Sequence, residues 1–284
     1  MKRTLSALMA GIACAFAGAA QAADAVPDFS GLWGRDSLNL ESPLSGPGPV
    51  VNLSRTPEGN MDMSRLVGDY NNPILKPEAA AILKKRGEMS LAGISVPNPH
   101  DQCYPEPPPL LFAVQFAWEM LQGKDEIVIL YSHDNKVRHV RLNAAHPANL
   151  VPTWQGDSVG HYEGDTLVID TIGITTRTFL DDYQTPHTEQ LHVVERFHMT
   201  DGGKFLEVDF HVEDPGAFTK PWDAIQRYKR VEPGVSENVP PVDNDATSAV
   251  GLAGPLLEET CAESNVFHFG DSEMPLPQAA KLDF

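Results

Sequence analysis

The sequence is short of positive charge, of cysteine and of long apolar runs. Among its 284 residues, 21 lysines and arginines face 39 aspartates and glutamates, giving a net charge of −18, and there are only three cysteines. So acidic a surface argues against nucleic acid and anionic lipid as partners, since both would be repelled. After the first 22 residues no stretch approaches the roughly 20 apolar residues that a membrane span needs, so membrane insertion is not expected. Also missing are any internal repeat, glycine-rich phosphate loop, H-x-H or H-E-x-x-H pair, and cysteine cluster. With them go the usual local signatures of nucleotide and metal binding, and no cofactor or metal is expected.

What is present begins with an address. Lys2 and Arg3 precede an apolar stretch from Leu5 to Ala19, and Ala20-Gln21-Ala22 forms an A-x-A cleavage site. That is the pattern of a secretory signal peptide, so the mature protein is expected in the periplasm or outside the cell. Gly11-Ile12-Ala13-Cys14 lacks the leucine that opens a lipoprotein box, so Cys14 is expected to leave with the peptide. Cleavage near Ala22 removes Lys2 and Arg3, takes the charge to −20 and leaves about 262 residues. The two remaining cysteines, Cys103 and Cys261, form an even pair in an oxidising compartment, where a disulfide is the expected outcome. A loop of that length would contribute roughly 4–5 kcal/mol on the chain-entropy model.

The pattern along the chain predicts an all-β protein. It divides into the signal peptide (1–22), an N-terminal strap with one short helix (23–110), an antiparallel β core (111–232) and a C-terminal extension packing back on the core (233–284). Phe29, Leu32 and Trp33 are expected to anchor the N-terminus. The helix is predicted over Pro77 to Arg86, with Pro77 at its first position and Gly87 stopping it. Strands are predicted over 111–121, 126–131, 136–142, 158–162, 166–171, 190–199, 204–213 and 224–231. Glu163-Gly164-Asp165 is a tight turn between two of them. About eight strands with short links predict an antiparallel meander, as a calycin- or lipocalin-like barrel or a strongly curved sheet, ahead of a two-sheet sandwich.

Three segments carry a resemblance. E-G-D-T-L-V-I-D-T at 163–171, P-H-T-E-Q-L-H-V-V-E-R-F at 186–197 and E-D-P-G-A-F-T-K-P-W at 213–222 occur in order. Together with a P-D-x-S-G-x-W start at 27–33 and a cysteine on each side of the strand run, they resemble a large group of exported bacterial proteins of unknown function. The resemblance implies an exported β-protein and brings no catalytic residues. The segment from Asn143 to Pro147 departs from the D-G-R associated with that loop in the group.

Candidate functional residues come from strand alternation. In 190–199 the apolar face is Leu191, Val193, Phe197 and Met199, and Glu195 falls in its middle. A carboxylate facing inward is costly unless paired, and burial would bring it toward acid–base range. Glu195 is therefore the first catalytic candidate, with His187 or Asp170 as its partner, and an ion pair to an arginine is the competing structural role. Trp154, Tyr162, Tyr183 and Trp222, with His146, are candidates to line a pocket for a small apolar or aromatic molecule. His192 and His198 lie six residues apart on one strand face, too far to share an ion. Gly156-Asp157-Ser158-Val159-Gly160 spells G-x-S-x-G, but Ser158 enters a hairpin and not the strand–turn–helix elbow that motif needs. Three functions follow: a small-molecule binder, an acid–base enzyme on the same scaffold, and a structural or assembly component of the envelope that needs no pocket.

Overall fold

A computed structural model describes residues 26–37, 39–62, 64–94, 103–113, 117–131 and 136–231. The signal peptide, Cys261 and the C-terminal extension lie outside the described residues.

Nine strands close into one barrel in sequence order: β1 (Gly31–Arg35), β2 (Trp118–Gln122), β3 (Glu126–Tyr131), β4 (Val137–Leu142), β5 (Asp157–Glu163), β6 (Thr166–Ile172), β7 (His192–Thr200), β8 (Phe205–Glu213) and β9 (Trp222–Val231). The expected all-β barrel is the fold. Alternation sorts most of its residues. Leu167, Ile169, Val193, Phe197, Val208, Phe210 and Ala224 are buried on the inner face, and their neighbours in sequence are more exposed except Val168, which is buried as well. The β5–β6 turn is the tight one predicted. Glu163 pairs with Thr166, leaving Gly164 and Asp165 between them, with Gly164 at φ 64°. No helix among the described residues is long and apolar enough to cross a membrane.

The structure differs from expectation in four places, each with a physical cause. The N-terminal anchor is itself a strand: β1 pairs with both β2 and β9 and closes the barrel, so the barrel begins well before residue 111. The β4–β5 ladder is parallel. The chain between them, residues 143–156, is long enough to return to the starting end, which a parallel pair requires. The stretch predicted as a strand over 111–121 splits. Leu110–Ala113 is a helical turn (α2), and only Trp118–Gln122 joins the sheet. Phe112 on α2 enters the lumen and meets Trp118, Tyr131, Phe197, Phe210 and Tyr228 with ring centroids 5.6–6.4 Å away. An apolar run that would otherwise extend the wall instead fills it.

The fourth difference is the helix, α1 (Pro77–Leu91), which runs past Gly87. Gly87 lies on the buried face with Ala79 and Leu83, and a Cβ there would come 2.9 Å from Val67 Cγ1, so this glycine serves packing. The stop falls at Gly93, φ 72°. The Gly93 amide bonds to Ser90 O and the Ile94 amide to Met89 O, the paired bonds of a Schellman end.

Trp33 marks the seam. It is fully buried, sits opposite Trp118 on one side and Arg230 on the other, and donates its indole N–H to Phe29 O at 3.0 Å. Truncating it would leave a cavity at the point of closure. Trp33→Ala is expected to cost about 3–5 kcal/mol, read from denaturant unfolding with an unchanged slope. A loss below about 1 kcal/mol would show that β1 is dispensable to the barrel.

Candidate functional site

The inward carboxylate is where alternation puts it. Glu195 is fully buried, and it meets Arg138 of β4 in a two-pronged ion pair. Arg138 Nη1 donates to Glu195 Oε1 at 2.8 Å, and Nη2 donates to Oε2. The guanidinium also bonds Ser158 Oγ at 3.1 Å through Nε and Thr171 Oγ1 at 2.8 Å through Nη2. The two hydroxyls lie 2.9 Å from each other. One polar side chain from each of β4, β5, β6 and β7 thus forms a belt across the lumen wall. The glutamate holds the Arg138 guanidinium above its ordinary value, outweighing burial, which acts the other way. Burial pushes the neighbouring Tyr131 phenol up, with Arg138 opposing. Both Glu195 oxygens are taken up by the guanidinium, so the arginine pairing is what the geometry supports for Glu195.

Glu195, His187 and Asp170 are not brought together. Asp170 lies one residue past Ile169, the inward partner of Glu195, and so faces the outside of β6. There its Oδ1 accepts from His146 Nε2 at 3.1 Å and His192 Nε2 at 3.0 Å, and the His192 bond leads in holding its carboxyl below the usual range. The same bond raises the His192 imidazole. Asp157 lies 2.7 Å from His146 Nδ1, Glu213 3.5 Å from His192 Nδ1, and His211 bridges Glu213 to Asp223. A chain of alternating imidazoles and carboxylates therefore runs around the outer wall. His187 stands apart in the β6–β7 connection, with Nε2 2.7 Å from Thr178 Oγ1 and Nδ1 3.0 Å from Thr188 O, and burial lowers its pKa.

Nor do the four aromatic candidates share one pocket. Trp154 stacks on Tyr104 at 4.3 Å with Arg177 4.5 Å above its ring. Trp222 packs edge-on to Phe218 at 5.9 Å, and Tyr162 lies against the core from β5. Tyr183 lines a cavity of about 60 Å³ with Asn39, Leu40, Pro49, Val50, Val51, Met61, Asp181 and Asp182.

The two aspartates are what the sequence reading missed. Asp181 Oδ1 accepts the amides of Tyr183 and Thr185, each at 3.0 Å. Burial nevertheless pushes its carboxyl up to about 6. Asp182, which still meets solvent at one edge, is also pushed up to about 6, first by burial and then by the Asp181 charge, with Arg35 pulling the other way. No periodic pattern points to them, because they sit in the β6–β7 connection, where only the fold supplies burial. Arg138 did have a signal: it shares alternation with Val140 and Leu142 in β4. Among the described residues, the one group of histidine and acidic side chains close enough to hold a metal ion is His198, Glu207 and Asp209. No family model matches the chain, and no curated protein matches its sequence.

Breaking the lumen pair from one side strands a buried charge. Glu195→Gln and Arg138→Met should each cost about 3–5 kcal/mol in chemical unfolding, and the double variant clearly less than their sum. Additive losses would mean that the two groups do not depend on each other.

The cleft carboxyls give a pH signature of unusual sign. With folded values near 6, against about 3.9 unfolded, they hold protons that the unfolded chain has lost. Their contribution to stability is therefore full below about pH 4 and declines as pH rises through about 6. Asp170 and Glu213, with lowered values, act oppositely and lose their contribution as pH falls through those values. Urea midpoints measured across about pH 4–7 should fall less steeply for Asp182→Asn than for the parent protein. Parallel profiles would assign the cleft no such role.

Proposed function

We propose that this is an exported protein that binds a small molecule in the cleft over Asp181, Asp182 and Tyr183, and that the ligand joins an apolar or aromatic body to a cationic head. The observation that carries the reading is geometric: two adjacent carboxyls, Asp181 and Asp182, both pushed up by burial, line a cleft together with the apolar Leu40, Pro49, Val50, Val51 and Met61. Adjacent carboxylates in a partly desolvated setting repel each other, and a bound cation relieves that repulsion. The cleft has room for about four waters' worth of ligand, enough for an ammonium or amidinium group and a few carbons. Val51 and Met61 remain exposed at its wall, and they offer the rest of the ligand an apolar surface. Export is supported by the charged start, apolar stretch and A-x-A site of residues 2–22. A disulfide between Cys103 and Cys261 fits that compartment. The resemblance to exported β-proteins belongs to the same proposal.

A second reading, an acid–base enzyme, is favoured by the same carboxyls, since values near 6 suit proton transfer close to neutral pH. In that reading Asp182 exchanges the proton and Asp181, held by two backbone amides, is the fixed charge beside it.

Benzylamine, with benzyl alcohol as its uncharged counterpart, tests the binding reading by amide NMR. Benzylamine should shift the Val50, Val51 and Tyr183 amides at about pH 7.5, weaken about tenfold by about pH 5 as the carboxyls protonate, and lose its effect in Asp182→Asn. Equal binding of the alcohol, or shifts confined to other parts of the barrel, would overturn it.

A further inference from the structure

We propose that the outer face of β7 and β8 carries a binding site for a divalent first-row metal ion of the zinc type, formed by His198, Glu207 and Asp209. One donor atom from each residue lies within 4.8 Å of the other two. His198 and Glu207 are directly opposed in the β7–β8 ladder, and Asp209 lies two residues further along the same face. His198 Nε2 stands 3.4 Å from Glu207 Oε1, and Nδ1 stands 3.7 Å from Asp209 Oδ2. Two ligands about 2.1 Å from a tetrahedral ion stand about 3.4 Å apart, so the imidazole and the glutamate oxygen are already spaced to share one.

Two further features separate this group from an ordinary acidic surface. Arg227 Nε donates to Glu207 Oε2 at 2.7 Å, which leaves Oε1 directed at His198; outer partners orient metal-binding carboxylates in this way. Asp209, for its part, is poorly compensated. It is partly buried, and the carboxylates of Glu207 and Asp223 are among the charges that act on it. Its cross-strand neighbour Arg196 sends its guanidinium to Glu163 instead, at 2.6 Å. A cation between the three side chains would supply the missing charge.

The donor set names the class of ion. One imidazole nitrogen with two carboxylate oxygens suits zinc, cobalt(II) or manganese, with the remaining positions left to water, whereas calcium prefers six to eight oxygens. The ligands sit on paired strands, so little ordering is needed on binding. The Asp170 cluster is the natural comparison. There one carboxylate oxygen already accepts from two imidazoles, and the three residues do not gather as closely.

Calorimetric titration of the purified full chain with zinc chloride near neutral pH is the test. One-to-one uptake is expected, weakened at least about tenfold in His198→Ala and in Asp209→Asn, and unchanged in His192→Ala. Imidazole nitrogen NMR provides a readout independent of affinity: a His198 ring nitrogen should shift as zinc is added. All three side chains lie outside the barrel wall, so circular dichroism should find the variants folded. Absence of uptake, equal uptake in parent and both variants, or loss confined to His192→Ala would overturn the proposal.

Discussion

The Arg138–Glu195 pair inside the barrel is the constraint on which the rest depends. Two opposite charges taken out of water are tolerated only when they meet each other and their remaining donors are satisfied. Arg138 and Glu195 sit on strands separated by two others, so satisfying them ties four strands together. Ser158 of β5 and Thr171 of β6 lie between and take up the other guanidinium donors. A one-residue slip of β7 would turn Glu195 outward and leave Arg138 alone among rings. The pair therefore works as a register device, and its cost is offset by the uniqueness of the pairing it enforces.

Saturating the lumen in this way also moves function elsewhere. Trp118, Phe197, Phe210 and Tyr228 pack around Phe112, whose ring also lies 5.9 Å from the Arg138 guanidinium, and together they occupy the space where a lipocalin-like barrel would hold its ligand. A second buried pair, Lys136 with Glu106 at 3.2 Å, ties the strap before α2 to the start of β4 and helps to hold that plug in place. The barrel interior is thus largely filled, and among the described residues the clusters of imidazoles and carboxylates lie in the loop connections and on the outer wall.

How far the sequence could be read follows from the range of each signal. Period-2 alternation is local, so the strands of the β7–β8 hairpin, the inward position of Glu195 and the Gly164 turn were all legible. Three features depend on what the chain meets later. Gly87 looked like a helix stop because nothing in the sequence says that Val67 will pack against it. The run at 111–113 looked like wall, because an apolar plug and an apolar strand share a composition. Gly31–Arg35 looked like an anchor, because five residues become a strand only when β2 and β9 are both beside them. Asp181 and Asp182 were invisible for the same reason. Their burial is supplied by the segments around Val50 and Leu40, more than a hundred residues away in the chain.

The two populations of carboxyl share one cause. Among the described residues, an acidic surface gives nearly every imidazole a partner. His139, His146, His161, His192, His198 and His211 each lie within 4 Å of a carboxylate, while His187, buried in a loop, does not. Where a histidine arrives, as at Asp170, hydrogen bonding wins over desolvation and the carboxyl is held low. Where burial arrives without a full countercharge, as at Asp182 and Asp209, desolvation wins and the carboxyl is pushed up. With 39 acidic residues against 21 basic ones, there are too few lysines and arginines to give every carboxyl a partner, and where such a carboxyl is also buried nothing offsets its desolvation.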